Sequence, residues 1–233
     1  MPCTLPASLA DAAVCRGSFH AVLGGEAGEA VFADFSAALQ KAQAEGRILT
    51  ASLFRYENHL FFYAEGLNRP FTPQGLCPAL DAALLPWPPA LGEAAPRPWA
   101  AMQPYFYHDV PTTAADWQQG RCPQRRRGRI ALLPPGSWCS YMEHHLRIVT
   151  EGLVEGDRWH LICVQEGVLF SYLEEPRTNV NIKHRPGAHS PELDAWIAAD
   201  PESHFARFTP EQKAHPDSGH NFVFLPRIAG TED

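Results

Sequence analysis

"RIALLPPGSWCSYMEHHLRIVTEGLVEGDRWHLICVQEGVLFSYLEE", residues 129–175, reads as strand, helix, strand, tight turn, strand. Apolar residues alternate with period two at its ends and recur at spacings of three and four in its middle. A second stretch, "SFHAVLGGEAGEAVFADFSAALQKAQAEGRILTASLFRYENHLFFYAEG", residues 18–66, reads in the same order. Phe19 to Arg47 and Ile130 to Arg158 both span 28 positions. Beyond the turn, "HLFFYAEG" answers "GVLFSYLE", with a slightly longer turn expected in the first copy. "CPALDAALLPWP" (77–88) then answers "SPELDAWIAADP" (190–201), and the aromatic "YFYHDVP" (105–111) answers "HNFVFLP" (220–226). Landmarks repeated in the same order mark an internal duplication.

Each copy therefore predicts β-α-β-β-α-β, a split βαβ, ferredoxin-like unit with helices on one sheet face. Two such units in one chain can cover each other's bare sheet face. The expected fold class is α+β, two tandem ferredoxin-like units forming an intrachain pseudo-dimeric α+β barrel. The expected boundaries are 16–111 for the first unit and 129–228 for the second. Residues 112–128, "TTAADWQQGRCPQRRRG", are polar and basic and are expected to be the solvated linker.

Bulk properties narrow the function classes. Hydrophobic residues make up 45% of the 233 and charged residues 19%, enough apolar material for globular cores. No run approaches the ~20 apolar residues of a membrane span. The N-terminal stretch lacks a basic region followed by an apolar one, so a cytoplasmic protein without a secretory leader is expected. The six cysteines are scattered without a Cys-x-x-Cys pair, which suits reduced thiols. A net charge of −7 disfavours nucleic acid and anionic membranes as partners. The expected partner is a small molecule, and the expected state is a monomeric pseudo-dimer or a homodimer.

The candidate site lies in "YMEHHLRIVTEGL", 141–153. With Ser137 as N-cap, Trp138, Tyr141, His145, Ile148 and Gly152 share one helical stripe facing the core. His144 is rotated ~100° from His145, so the adjacent histidines do not chelate a common metal. His215 and His220 stand close in sequence but have no evident third ligand, and no metal or other cofactor is expected. His145 suits proton transfer near neutral pH, and Tyr141 one turn earlier suits a partner acid. His160, Tyr172, His204, Phe205 and Trp138 are expected to contact substrate. Counted at the same offset of 111, the first copy has Asp34 and Ala30 in place of His145 and Tyr141, so the pair belongs to one copy only.

On these residues the second half resembles the L-rhamnose mutarotase family. Tyr141 and His145 stand where that family's first helix carries a Tyr and a His, and Glu151 falls near its Glu. The hairpin "WHLICVQEGVLFSYLEE" and the ending "NFVFLP" resemble its inner and closing strands. The resemblance implies a cofactor-free isomerase that opens and recloses a sugar ring. His145 would move the proton at the anomeric oxygen and Tyr141 would orient it. The same fold resemblance admits cofactor-independent monooxygenases acting on flat aromatic substrates, and also a non-catalytic ligand-binding duplicated barrel.

Overall fold

The computed structural model describes residues 6–177, 182–213 and 218–231. In chain order its main elements are β1 (Val14–Val22), α1 (Glu29–Ala44), β2 (Ile48–Tyr56), β3 (His59–Leu67), α2 (Pro78–Ala83), β4 (Ala100–Phe106) and α3 (Ala114–Gln118). There follow β5 (Arg125–Leu132), α4 (Pro135–Glu151), β6 (Val154–Glu155), β7 (Leu161–Gln165), β8 (Val168–Glu175), β9 (Lys183–His184), α5 (Pro191–Ala198), β10 (Val223–Leu225) and β11 (Arg227–Gly230). The fold is α+β, with the β-α-β-β-α-β order present twice. No helix among the described residues is long and apolar enough to cross a membrane.

The chain divides into two compact units. The first holds residues to Met102, Pro111–Pro123 and Pro226 onward; the second holds Gln103–Val110 and Gln124–Leu225. Each therefore contains a segment that sequence reading assigns to the other copy. In the first unit β4, β1, β3, β2 and β11 are joined in that order by antiparallel ladders. The ferredoxin-like set is β4-β1-β3-β2, and β11 is the addition. In the second unit the order is β10, β5, β8, β7, and then β4 from Gln103.

In the first unit α1 lays Phe32, Phe35, Leu39 and Ala42 on the sheet, against Ala21, Leu53, Phe62 and Ala64. Phe35 meets Phe62 edge-on at 5.7 Å and stacks near Trp99 at 6.3 Å. Each such side chain contributes roughly 1.5–3 kcal/mol by leaving water. Gly66, late in β3, is required by a close approach. A Cβ there would lie 2.3 Å from the Arg69 carbonyl oxygen and 2.9 Å from the Phe71 nitrogen. Both are backbone atoms, so Gly66→Ala is expected to cost about 1–3 kcal/mol through forced movement of the following loop. A urea midpoint unchanged from wild type would contradict this.

Several sequence expectations change. Both hairpins turn through two residues, Glu57-Asn58 and Glu166-Gly167, with Tyr56 opposite His59 and Gln165 opposite Val168. The first turn is not the longer one, because Glu57 accepts φ of 52° and Glu166 accepts 50°. The closing strand of the first copy begins at Ala100 and ends at Phe106, so most of "YFYHDVP" lies beyond it. Pro104 hid this strand; it sits beside a register shift, where a missing N–H is tolerated. The stretch 112–128 is not a solvated connector either. Thr113 caps α3 by accepting from the Asp116 N–H, and Trp117 is fully buried. Residues 125–128 already belong to β5. The arginines turn inward: Arg121 pairs with Glu65 at 2.7 Å, Arg126 with Glu174 at 3.6 Å, and Arg127 with Glu175 at 3.0 Å.

Candidate functional site

Helix α4 starts after Pro134 with Pro135 in its first turn, where a missing N–H costs nothing. Ser137 is thus inside the helix and not its cap. Gly152 ends it at φ 68°, its N–H reaching the Ile148 carbonyl at 3.2 Å. Gly46 ends α1 in the same left-handed region, 106 positions earlier. This sets the true helical register of the repeat. Phe35, Leu39 and Ala42 stand where Tyr141, His145 and Ile148 stand, with the same spacing of four and three. The offset of 111 that pairs Asp34 with His145 is five residues out. By the hairpins the offset is 109, from Tyr56 to Gln165, so the second copy carries three extra residues between its helix and β7.

That longer segment lines a cavity. The space, about 160 Å³, is enclosed by residues of the second unit alone, including Phe106, His108, Arg129, Tyr141, His145, Asp157, His160, Arg177, Trp196, Glu202, Phe205 and Phe222. Gly156 and Asp157 come from this segment, which runs to His160. Gly156 lets the His108 ring lie against its backbone, since a Cβ there would fall about 2.0 Å from that ring. In the first unit, by contrast, Phe19, Phe35, Leu39 and Phe62 fill the matching layer.

His145 is held on all sides. Its Nδ1 lies 2.9 Å from the Tyr141 carbonyl oxygen. A carbonyl only accepts, so Nδ1 carries the proton and donates, leaving a lone pair on Nε2. The ring meets Phe106 at 4.9 Å and Trp196 at 4.8 Å edge-on, and Tyr141 at 4.2 Å. Burial pushes its pKa down to about 4, overriding the backbone bond that favours the charged ring. Burial likewise pushes the Tyr141 phenol up to about 12. At neutral pH the pair is a neutral base beside a protonated hydroxyl. His108 is also pushed down to about 4, mainly by burial and against the pull of Asp157.

These shifts have a thermodynamic sign. The unfolded chain protonates His145 near pH 6.5 and the folded chain near 4, so between these values the unfolded state binds more protons. The stability is full above the unfolded value, falls as pH drops toward the folded one, and is flat below it. The loss from His145 is on the order of 3 kcal/mol, and His108 acts in the same direction. His145→Gln is expected to flatten this dependence by that amount. Urea midpoints near pH 7 and near pH 4.5 check it: equal losses in variant and wild type would refute it.

The structure brings Tyr141, His145, His160 and Phe205 together at the cavity. Three other expected contacts lie elsewhere. Trp138 is 39% exposed, beside Met142 and Leu146, because the packing of α4 centres on Tyr141 and Ile148, one turn further on. Tyr172 alternates to the sheet face opposite Leu169, which packs in the helix-side core, and donates to Glu174 Oε1 at 2.7 Å. His204 is buried behind the wall, its Nε2 3.3 Å from Ser140 Oγ and its ring 5.2 Å from Trp196. His215 lies outside the described residues, and His220 Nδ1 accepts from Lys213 Nζ at 3.2 Å.

Arg129, Arg177 and Asp157 are the additions sequence reading missed. Arg129 shares the helix-side face of β5 with Ala131, and its guanidinium lies over the Phe222 ring at 4.3 Å. Burial and the nearby Arg177 charge bring its pKa down to about 10, so it remains a cation. Arg177 pairs with Asp157 at 3.2 Å. The signal that could have found Arg129 is its phase, two residues after Arg127 on an alternating strand.

No family model and no curated protein sequence matches this chain. Three solved structures are similar over nearly its whole length. One is named as a candidate monooxygenase from Lactobacillus acidophilus NCFM, 6% identical at TM-score 0.40, covering 94% of this chain and 96% of that one. A second is named as a candidate monooxygenase from Fusobacterium nucleatum, 10% identical at TM-score 0.41, covering 95% of each. A third is an anthrone oxidase-like protein, 7% identical at TM-score 0.38, covering 94% and 92%.

Proposed function

We propose that the second unit binds a small, flat, weakly acidic aromatic molecule and that His145 removes a proton from it, as a cofactor-independent oxygenase requires. The observation that carries this reading is the tautomer of His145. Its donor nitrogen is tied to the Tyr141 carbonyl, so Nε2 is left as a base inside an aromatic cavity. Phe106, Trp196, Phe205 and Phe222 suit the faces and edges of a planar ring. Tyr141 stays protonated and donates a hydrogen bond to the substrate oxygen.

A base held near pKa 4 needs its product anion stabilised, and Arg129 supplies a positive charge in the same cavity. The anion in turn favours the protonated imidazole, so substrate raises the basicity that the empty site lacks. The carbanion then meets dioxygen. A methylene carbon loses two hydrogens and gains one oxygen atom as a carbonyl, and the second oxygen leaves as water. The sugar reading uses the same His145 and Tyr141. A sugar ring, however, presents puckered faces and several hydroxyls where Phe106, Trp196, Phe205 and Phe222 suit a flat ring.

The test is a pair of measurements on the full chain with anthrone and with pyrogallol. Hydrogen–deuterium exchange at the anthrone methylene is followed by NMR without oxygen, and oxygen uptake with both probes is followed in air. Acceleration of exchange over buffer supports the reading. Methylene exchange no faster than buffer, together with accelerated anomer exchange of a deoxy sugar, would reverse it in favour of the isomerase.

A further inference from the structure

We infer that the ligand of this cavity bears a carboxylate, received by the Arg129 guanidinium, so that the substrate class is a single-ring aromatic acid. This rests on reading the cavity as a small-molecule site. The argument comes from how the chain treats its other inward arginines. Arg121 has Glu65, Arg126 has Glu174 and Arg127 has Glu175. Arg129 lies on the same strand as two of these, yet no carboxylate of the described residues lies within 4.0 Å of it. Its Nε is sealed from solvent without a hydrogen-bond acceptor.

The nearby carboxylates are committed elsewhere. Asp157 is paired with Arg177. Glu202 lies at the exposed rim and accepts from Asn221 Nδ2. A largely buried guanidinium with no carboxylate partner among the described residues is costly in an empty site. A carboxylate entering the cavity would supply the missing acceptor, and the planar guanidinium can take both its oxygens. The volume of about 160 Å³ suits one ring better than three fused ones. A ring carrying the acid would lie between the aromatic walls, its ring hydroxyl toward Tyr141 and His145, and the anion formed there would share the Arg129 charge with the carboxylate beside it.

The test is calorimetric titration of the full chain with benzoate, 2-hydroxybenzoate and benzamide. The two acids are expected to bind at least about tenfold more tightly than the amide, which matches benzoate in shape but brings no charge. Arg129→Met is expected to abolish that preference. Arg129→Lys, which keeps the charge and loses the fork, is expected to retain a reduced preference, and it serves if the methionine variant does not fold. Arg147→Ala, exposed on α4 and outside the cavity, is expected to leave the preference in place. Benzamide binding as tightly as benzoate, an acid preference that survives Arg129→Met, or no acid binding at millimolar concentration would overturn the inference. Acid binding through Arg129 without proton exchange would leave this inference standing and remove the proton-transfer reading. Exchange on anthrone without any acid preference would do the reverse.

Discussion

Replacing His145 by alanine is expected to slow proton removal from the substrate by about 10²–10⁴-fold, the usual contribution of a positioned general base. The loss should fall on kcat and kcat/KM together, since the imidazole acts on the proton in flight and not on the bound ring. Binding of a carboxylate probe should change little. The pH profile of the wild type carries a second signature. The base must be neutral, and burial places its proton loss near 4 rather than near 6.5. Activity of the free enzyme should thus persist into mild acid and fall as the pH drops through that lower value. An acid limb at the ordinary imidazole value would show that His145 is not the base. His145→Gln keeps a donor for the Tyr141 carbonyl and separates lost chemistry from a loosened helix.

The second large effect concerns stability and lies in the first unit. The Glu65 carboxylate is fully buried and takes both terminal nitrogens of Arg121, at 2.7 and 2.9 Å, as well as the Tyr63 hydroxyl at 2.7 Å. Burial works to raise its pKa, but the Arg121 charge and these hydrogen bonds hold it below the ordinary value. Glu65→Ala takes from the interior Arg121 its carboxylate, with Arg16 close by over the Trp117 ring at 5.0 Å. Such a break is expected to cost about 3–5 kcal/mol. Removing both charges at once, with Glu65→Leu and Arg121→Met, is expected to recover part of that, because carboxylate and guanidinium leave together and only the half-buried Arg16 stays beside Tyr63. Urea denaturation of the three proteins decides it: a double variant no better than the single one would show that the pair is more than mutual compensation. Arg147, exposed and paired with Glu143 at 2.6 Å, is the control, with an expected cost below about 1 kcal/mol for Arg147→Ala.

The duplication and the ferredoxin-like order were legible because they rest on periodicity. Alternating strands and a three-and-four helix stripe survive even where identities do not. His145 and Tyr141 were legible for the same reason: helical phase alone turns them inward. Phase failed at Trp138 because it fixes the face only relative to where the packing centres, and Tyr141 with Ile148 sets that centre one turn further on. It failed at Tyr172 because both faces of β8 are covered, so apolar alternation no longer separates in from out. Arg129 was lost to composition. An arginine-rich stretch reads as solvated unless its partners are known, and those partners, Glu174, Glu175, Phe222 and Phe224, come from distant segments of the chain. The longer segment carrying Asp157 does not show in a repeat register set on β1, and emerges only from the two helix-ending glycines.

The division of the chain has a practical side. The first unit draws its outermost strand from Arg227–Gly230, and the second draws one from the residues that follow Met102. Splitting the gene at the repeat boundary would strip each half of that strand and leave the flank of β2 or β7 unpaired. Bare flanks of this kind recruit other chains. The repeat is thus a unit of ancestry but not a unit that can be excised, and dissection of the two copies is better done by substitution within the intact chain.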